Sequence, residues 1–256
     1  MARVVNYLGN IPQYQNFSEA IKRAADHLRR LGVVVETERW QGLPTKGRKF
    51  REVLNYSFGC WIPEDLDTLR NEIRPNLPWA DNHFEERVSG IPYNPPPSAK
   101  DWPFAQRNHE QHTKGGKFSH TYPERMWHRD LHGLRFRYGD LNDVVDLLAR
   151  EPYTRQAYMP IWWPEDTGAH HRERVPCTLG YQFFRRGDLF HIIYYIRSCD
   201  FIRHFRDDIY MAARLLLWVL EKLRDRSKSW EKVTPGLLVM HIGSLHIFEG
   251  EEGLLK

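Results

Sequence analysis

At 256 residues, with 41% hydrophobic and 13% aromatic content, the chain can bury one large core and reads as a folded globular protein. It has no apolar run of roughly 18 residues, and its start, MARVVNYLGNIPQYQ, lacks the charged, apolar and small-residue succession of a secretion signal. Membrane-spanning and secreted classes are therefore excluded, and a cytoplasmic protein is expected. The formal charge of +4 is spread over interleaved bases and acids, which suits a small anionic ligand as well as a nucleic acid.

In chain order, Asn16 and Glu19 make a capping box ahead of Ile21, Ala24, Ala25, Leu28 and Leu31, so a helix is predicted over 17–31, closed by Gly32. VVVETERW (33–40) predicts a strand, TKGRK a basic loop, and REVLNYSFGCWI a second strand. The segment from Trp79 to Trp102, which runs into the proline-rich SGIPYNPPPSAKDWP, predicts a shaped loop, followed by a polar loop over 106–120. DLNDVVDLLAR (140–150) has helical periodicity with an acidic first turn. AYMPIWW, CTLGYQFF and LFHIIYYI read as successive strands with RRGD turning between the last two. From Asp208, the stripe Ile209, Ala212, Leu216, Val219 and Leu223 predicts a central helix, and GLLVMHIGSLHIF a last strand. With no internal repeat or linker, residues 1–256 read as a single domain of α+β type.

Cys60, Cys177 and Cys199 are odd in number and far apart, which excludes a disulfide framework and a four-thiolate zinc site. Thirteen histidines include HEQH (109–112) and His170–His171, but none has the HExxH spacing, so no metal site is expected. The polar stretch RSCDFIRHFRDD (197–208) follows the apolar LFHIIYYI, as though a buried strand delivers a polar site at its end. Cys177, just after a proline at the head of a strand, is either a buried structural thiol or a thiolate stabilised by Arg172, Arg174 and Arg197. Spacing alone leaves both readings open.

The order VPCTLGYQFF, YYIRSCDFIRHFRDD, GSLHIF resembles the catalytic half of the thymidylate synthase superfamily, most closely its deoxycytidylate hydroxymethylase branch. The likeness is strong over about 140–248 and looser through KGRKFREVLNYSF, KDW and SHTYPERMW. It implies a mixed β-sheet packed by helices and a homodimer formed sheet to sheet. It also implies 5,10-methylenetetrahydrofolate as one-carbon donor and a pyrimidine nucleoside monophosphate as acceptor. Cys177 is then the nucleophile that adds to C6 of the ring, making C5 nucleophilic. Arg197 and Ser198 hold the phosphate, with Arg197 also near the thiolate; Asp200 contacts the pterin, or else simply pairs with Arg197 at the strand end.

Asp208 stands where uracil-directed members carry asparagine and cytosine-directed members aspartate, which points to CMP or dCMP; it is also a candidate N-cap. Arg155 corresponds to an arginine that reaches a partner's phosphate, but Gln156 departs from the family's arginine pair, and Lys46 or Arg48 is a candidate substitute. Gln182 joins the substrate-binding set. His246 corresponds to a sugar-contacting histidine, whereas Phe248 lacks the usual tyrosine hydroxyl. The water-activating carboxylate of the family is matched by Asp81 first and Glu86 second. Trp102 and Tyr122 resemble aromatic residues lining the folate and nucleotide pocket, or are core aromatics. The sequence runs ten residues past His246, so site closure is expected to differ from that of longer-tailed relatives. The expected activity is hydroxymethyl transfer to CMP or dCMP. The rivals are methylation of dUMP or dCMP and, from another class, an inactive nucleic-acid-binding homologue.

Overall fold

The computed structural model describes residues 9–40, 43–104, 113–167 and 174–255; HEQH, the His170–His171 pair and Arg172 lie outside them. One seven-stranded mixed sheet dominates. Its strands are β1 (Gln13–Tyr14), β2 (Val33–Glu36), β3 (Lys49–Trp61), β4 (Tyr158–Pro160), β5 (Thr178–Arg186), β6 (Leu189–Asp200) and β7 (Thr234–Phe248). The order is β1-β3-β7-β6-β5-β4, and β2 pairs with the start of β3. Neighbours run antiparallel except β6 with β7 and β1 with β3, which run parallel.

The helices are α1 (Phe17–Leu31), α2 (Leu66–Ile73), α3 (Trp79–Val88), α4 (Tyr122–Met126), α5 (His128–His132), α6 (Leu141–Arg150) and α7 (Phe205–Arg226). The parallel pairing of β6 and β7 requires a crossover, and α7 supplies it, packing back on both strands. Its buried Ile209, Ala212, Ala213, Leu216, Val219, Leu220 and Leu223 confirm the predicted stripe and meet the inward residues Ile192, Tyr194, Ile196, Leu238, Met240 and Ile242 in one core. Each such large side chain contributes about 1.5–3 kcal/mol. α1 covers β3 in the same way, and Asn16 Oδ1 accepts from Glu19 N at 2.9 Å at its N-cap, as the spacing predicts.

Four expectations are corrected. Residues 79–88 are helix rather than loop, because the prolines begin only at Pro92; the preceding Pro78 occupies the N-cap position, where a missing N–H is harmless. Only Pro97–Asp101 adopts a 3-10 turn in the proline-rich stretch. The central helix starts at Phe205 with His204 at the N-cap, so Asp208 lies inside the first turn and is not the cap. The strand predicted over 33–40 breaks after Glu36, and Arg39–Trp40 pairs separately with Leu43–Pro44. Within the predicted 106–120 loop, Thr113–Lys114 and Lys117–Phe118 form a small hairpin.

Candidate active site

At the C-terminal ends of β6 and β7 the sheet opens into a cavity of about 440 Å3. The ladder sets its floor. Arg197 N donates to Cys177 O at 2.9 Å, Asp200 lies opposite His246 in the β6–β7 register, and Phe201 N donates to His246 O at 2.8 Å. Three strands thus bring residues 177, 197–200 and 246 into one row, and Cys177, Arg197, Ser198, Asp200 and His246 all line the cavity. Asp208 from α7, Tyr122 from α4 and Trp102 close the wall.

Arg197 lies 3.9 Å from Cys177 Sγ through Nη2, while its Nε donates to Pro176 O at 2.9 Å and Nη2 to Val175 O at 3.2 Å. Those carbonyls aim the guanidinium at the sulfur. Burial pushes the Cys177 thiol up, and Arg197 pulls it back towards the thiolate. Asp208 is half-buried, with Oδ2 accepting from Cys199 Sγ at 3.5 Å. Loss of water raises its carboxyl to about 7, against the opposing pull of Arg87. A carboxyl held near neutrality can donate as well as accept a proton.

The remaining predicted residues fall into two groups. Asp200, 2% exposed, accepts from Ile202 N at 3.0 Å and Arg203 N at 3.1 Å, and its ion pair at 3.1 Å is with Arg203, not with Arg197. His246 stacks on Phe50 with centroids 4.4 Å apart, and burial lowers its pKa. The Tyr122 hydroxyl accepts from Thr178 Oγ1 at 3.1 Å, and Trp102 stacks on His204 at 4.9 Å. By contrast, Asp81, Glu86, Arg155, Gln182 and Lys46 are absent from the cavity wall. Asp81 is spent on Arg70 at 2.7 Å, Tyr210 at 2.6 Å and Arg214 at 2.8 Å, on the side of α3 turned to α2 and α7. Glu86 accepts from Ser98 N at 2.6 Å and Ser98 Oγ at 2.5 Å, and lies 3.3 Å from His83 Nδ1. Lys46 lies exposed in a turn with φ 54°. Arg155 is exposed, and its carbonyl accepts from Gln182 Nε2 at 3.0 Å. Arg48 sits 3.7 Å over the Phe248 ring.

Sequence reasoning missed His83, Arg87 and His204, all of which line the cavity. Trp79, His83 and Arg87 recur at four-residue spacing, the signature of one helical face, which was hidden once 79–88 was read as loop. Burial lowers His83 to about 4 and His204 to about 3, so both imidazoles are neutral at ordinary pH. Among the described residues no group of three or more His, Cys, Asp or Glu side chains is arranged to hold a metal ion. Nor is any helix long and apolar enough to cross a membrane.

The thymidylate synthase family profile matches residues 99–253, from the cavity's edge to the end of the sheet. The chain belongs to the thymidylate synthase family. A "Putative thymidylate synthase" of Methanosarcina barkeri strain Fusaro is 25% identical over 250 residues, 97% of this chain and 94% of the relative. One of the same printed name from Methanosarcina mazei is 25% identical over 142 residues, 54% of this chain and 57% of the relative. Membership of the thymidylate synthase family supports a folate-dependent one-carbon transferase acting on pyrimidine nucleotides, built on an α+β fold with a mixed sheet packed by helices.

Proposed function

We propose that the protein transfers a hydroxymethyl group from 5,10-methylenetetrahydrofolate to C5 of CMP or dCMP. The observation that carries this reading is Asp208, a half-buried carboxyl raised to about 7 on the wall shared with Cys177. With cytosine the carboxyl accepts from the exocyclic amine through one oxygen and shares a proton with N3 through the other in either protonation state, whereas uracil, with N3–H beside O4, is matched only while the carboxyl stays protonated.

In this reading Cys177 Sγ bonds to C6, and the ring becomes nucleophilic at C5. C5 attacks the methylene carbon of the folate, and loss of the C5 proton with departure of tetrahydrofolate leaves an exocyclic methylene. Water adds to that carbon and the C6–Sγ bond breaks, giving the 5-hydroxymethyl nucleotide. Arg197 and Ser198 hold the phosphate, Asp200 and Trp102 the pterin, and His246 and Tyr122 the sugar and ring. His83 takes the water-orienting role that Asp81 and Glu86 were expected to fill, because it lines the cavity while its Nδ1 faces Glu86 at 3.3 Å. Arg155, Gln182 and Lys46 serve a second copy across a dimer formed through the sheet's outer face. That face carries the stacked Tyr195 and His241 and the exposed Leu54.

The test is tritium release from C5-labelled CMP, dCMP, UMP and dUMP with methylenetetrahydrofolate, followed by mass spectrometry. Release from a cytosine nucleotide with addition of one formaldehyde unit is expected. Release from dUMP with a methyl product would replace this reading by thymidylate synthesis. Release from none of them, with salt-sensitive binding of RNA or DNA, would favour an inactive nucleic-acid-binding homologue.

A further inference from the structure

Arg87 is a buried cation of the cavity with no anion bonded to it. The residue is 6% exposed, and its Nε is buried without a hydrogen-bond partner. Among the described residues no carboxylate pairs with its guanidinium, which lies 4.0 Å over the Tyr122 ring. Its backbone is firmly held, since Trp127 Nε1 donates to Arg87 O at 2.8 Å.

Other buried arginines of this chain are treated differently. Arg125, also 6% exposed, forms a two-pronged pair with Asp166 at 2.9 and 2.9 Å. Arg185, 8% exposed, donates to Ser229 O at 2.8 Å and Gly187 O at 3.0 Å. An unpaired charge taken out of water is costly, and polar groups buried in proteins otherwise find partners. A fold that satisfies Arg125 and Arg185 yet leaves Arg87 open to the cavity is holding it for a group that arrives with a ligand.

The surroundings say which part of the ligand. Arg87 acts electrostatically on Asp208, Asp207 and His83 and shares His204 with Arg174, whereas Cys177 is attended by Arg197 and Arg174 and not by Arg87. It therefore belongs to the Asp208 end of the cavity and not to the phosphate end.

We propose that Arg87 donates to an acceptor atom on the pyrimidine ring, so that its guanidinium and the Asp208 carboxyl read the polar edge of the base together. This rests on the pyrimidine nucleotide reading above. When the Cys177 thiolate forms the Sγ–C6 bond, the C5=C6 π pair moves to C4–C5 and the C4=N3 π pair moves onto N3. N3 takes the proton of Asp208, which becomes a carboxylate. Arg87 then faces a ring and carboxylate richer in electrons than before, so its stabilisation is larger in the adduct than in the bound substrate.

The experiment compares wild type, Arg87→Met and Arg87→Lys by calorimetric titration and thermal melting. The probes are CMP or dCMP, whichever binds wild type more tightly, its nucleoside, and the matching sugar 5-phosphate. Arg87→Met is expected to fold with an unliganded Tm equal to or above wild type, because a buried unpaired charge is gone. It should lose affinity for nucleotide and nucleoside alike, by about ten- to hundred-fold, and bind the sugar phosphate as wild type does. Arg87→Lys, which keeps the charge without the fork, should fall between. Nucleoside affinity unchanged in Arg87→Met, equal loss for the sugar phosphate, or an unliganded Tm lowered in both variants would each overturn the proposal. Failure of wild type to bind any pyrimidine nucleotide would instead remove the underlying reading.

Discussion

Cys199 Sγ lies 3.5 Å from Oδ2 of Asp208, so the third residue of RSCD reaches from the strand to the helix and supports the carboxyl assigned to the base. A thiol is a weak donor, which leaves desolvation in command of the Asp208 proton. The folded-state value of about 7 lies above the ordinary 3.8, so folding favours the protonated form. That contribution is intact below about pH 4 and is lost as the pH rises through 7, by at most about 4 kcal/mol. Asp208→Asn removes the titration. Thermal melts should show the variant gaining on wild type from pH 5 to pH 8; a constant difference across that range would refute a raised Asp208.

The three thiols differ in access. Cys60 and Cys199 are 0% and 1% exposed, and burial pushes both up, whereas Cys177 borders the cavity beside Arg197. Native alkylation followed by peptide mass spectrometry should mark Cys177 first, with nucleotide slowing the reaction. Early labelling of Cys60 would contradict the packing.

Gly243 on β7 approaches the Arg197 backbone so closely that an added Cβ would lie 2.7 Å from Arg197 O. Gly243→Ala must push β6 aside, at about 1–3 kcal/mol. The shift falls on Arg197 itself, so tritium release should drop by more than the fraction unfolded explains. Full activity in a stable variant would show that the strand yields without moving Arg197.

Glu86 accepts from Ser98 N and Ser98 Oγ while facing His83 Nδ1. In Glu86→Gln the amide nitrogen cannot accept, leaving one buried donor unsatisfied at about 1–3 kcal/mol. Denaturant titration should register that loss, and turnover should fall as His83 loses its orientation. Unchanged turnover would separate His83 from the chemistry.

α1, α6 and α7 were legible in the sequence because each carries an apolar stripe at helical period, and two of them a side-chain cap. α3 was not, since its ten residues are short, weakly patterned and followed by prolines that dominate the reading. Misreading α3 also misdirected the choice of acid and base. Asp81 and Glu86 look catalytic by residue type, but which face of a helix meets a cavity is settled by the neighbours it packs on, here α4, α7 and the turn at Pro97–Asp101. The row of Cys177, Arg197, Ser198, Asp200 and His246 needed no such information, because strand ends place their polar residues by ladder register alone.

That row has a kinetic meaning. β3 and β7 come from opposite ends of the chain, and β6 meets β7 only after the 22-residue α7 has crossed over. Pairings so distant in sequence close late, after local helices have formed. A collapsed intermediate with its helices and the local β5–β6 hairpin, which already sets Cys177 beside Arg197, would still lack His246 on β7, so a ligand that needs the whole row recognises only the finished fold and adds its binding energy to that state alone.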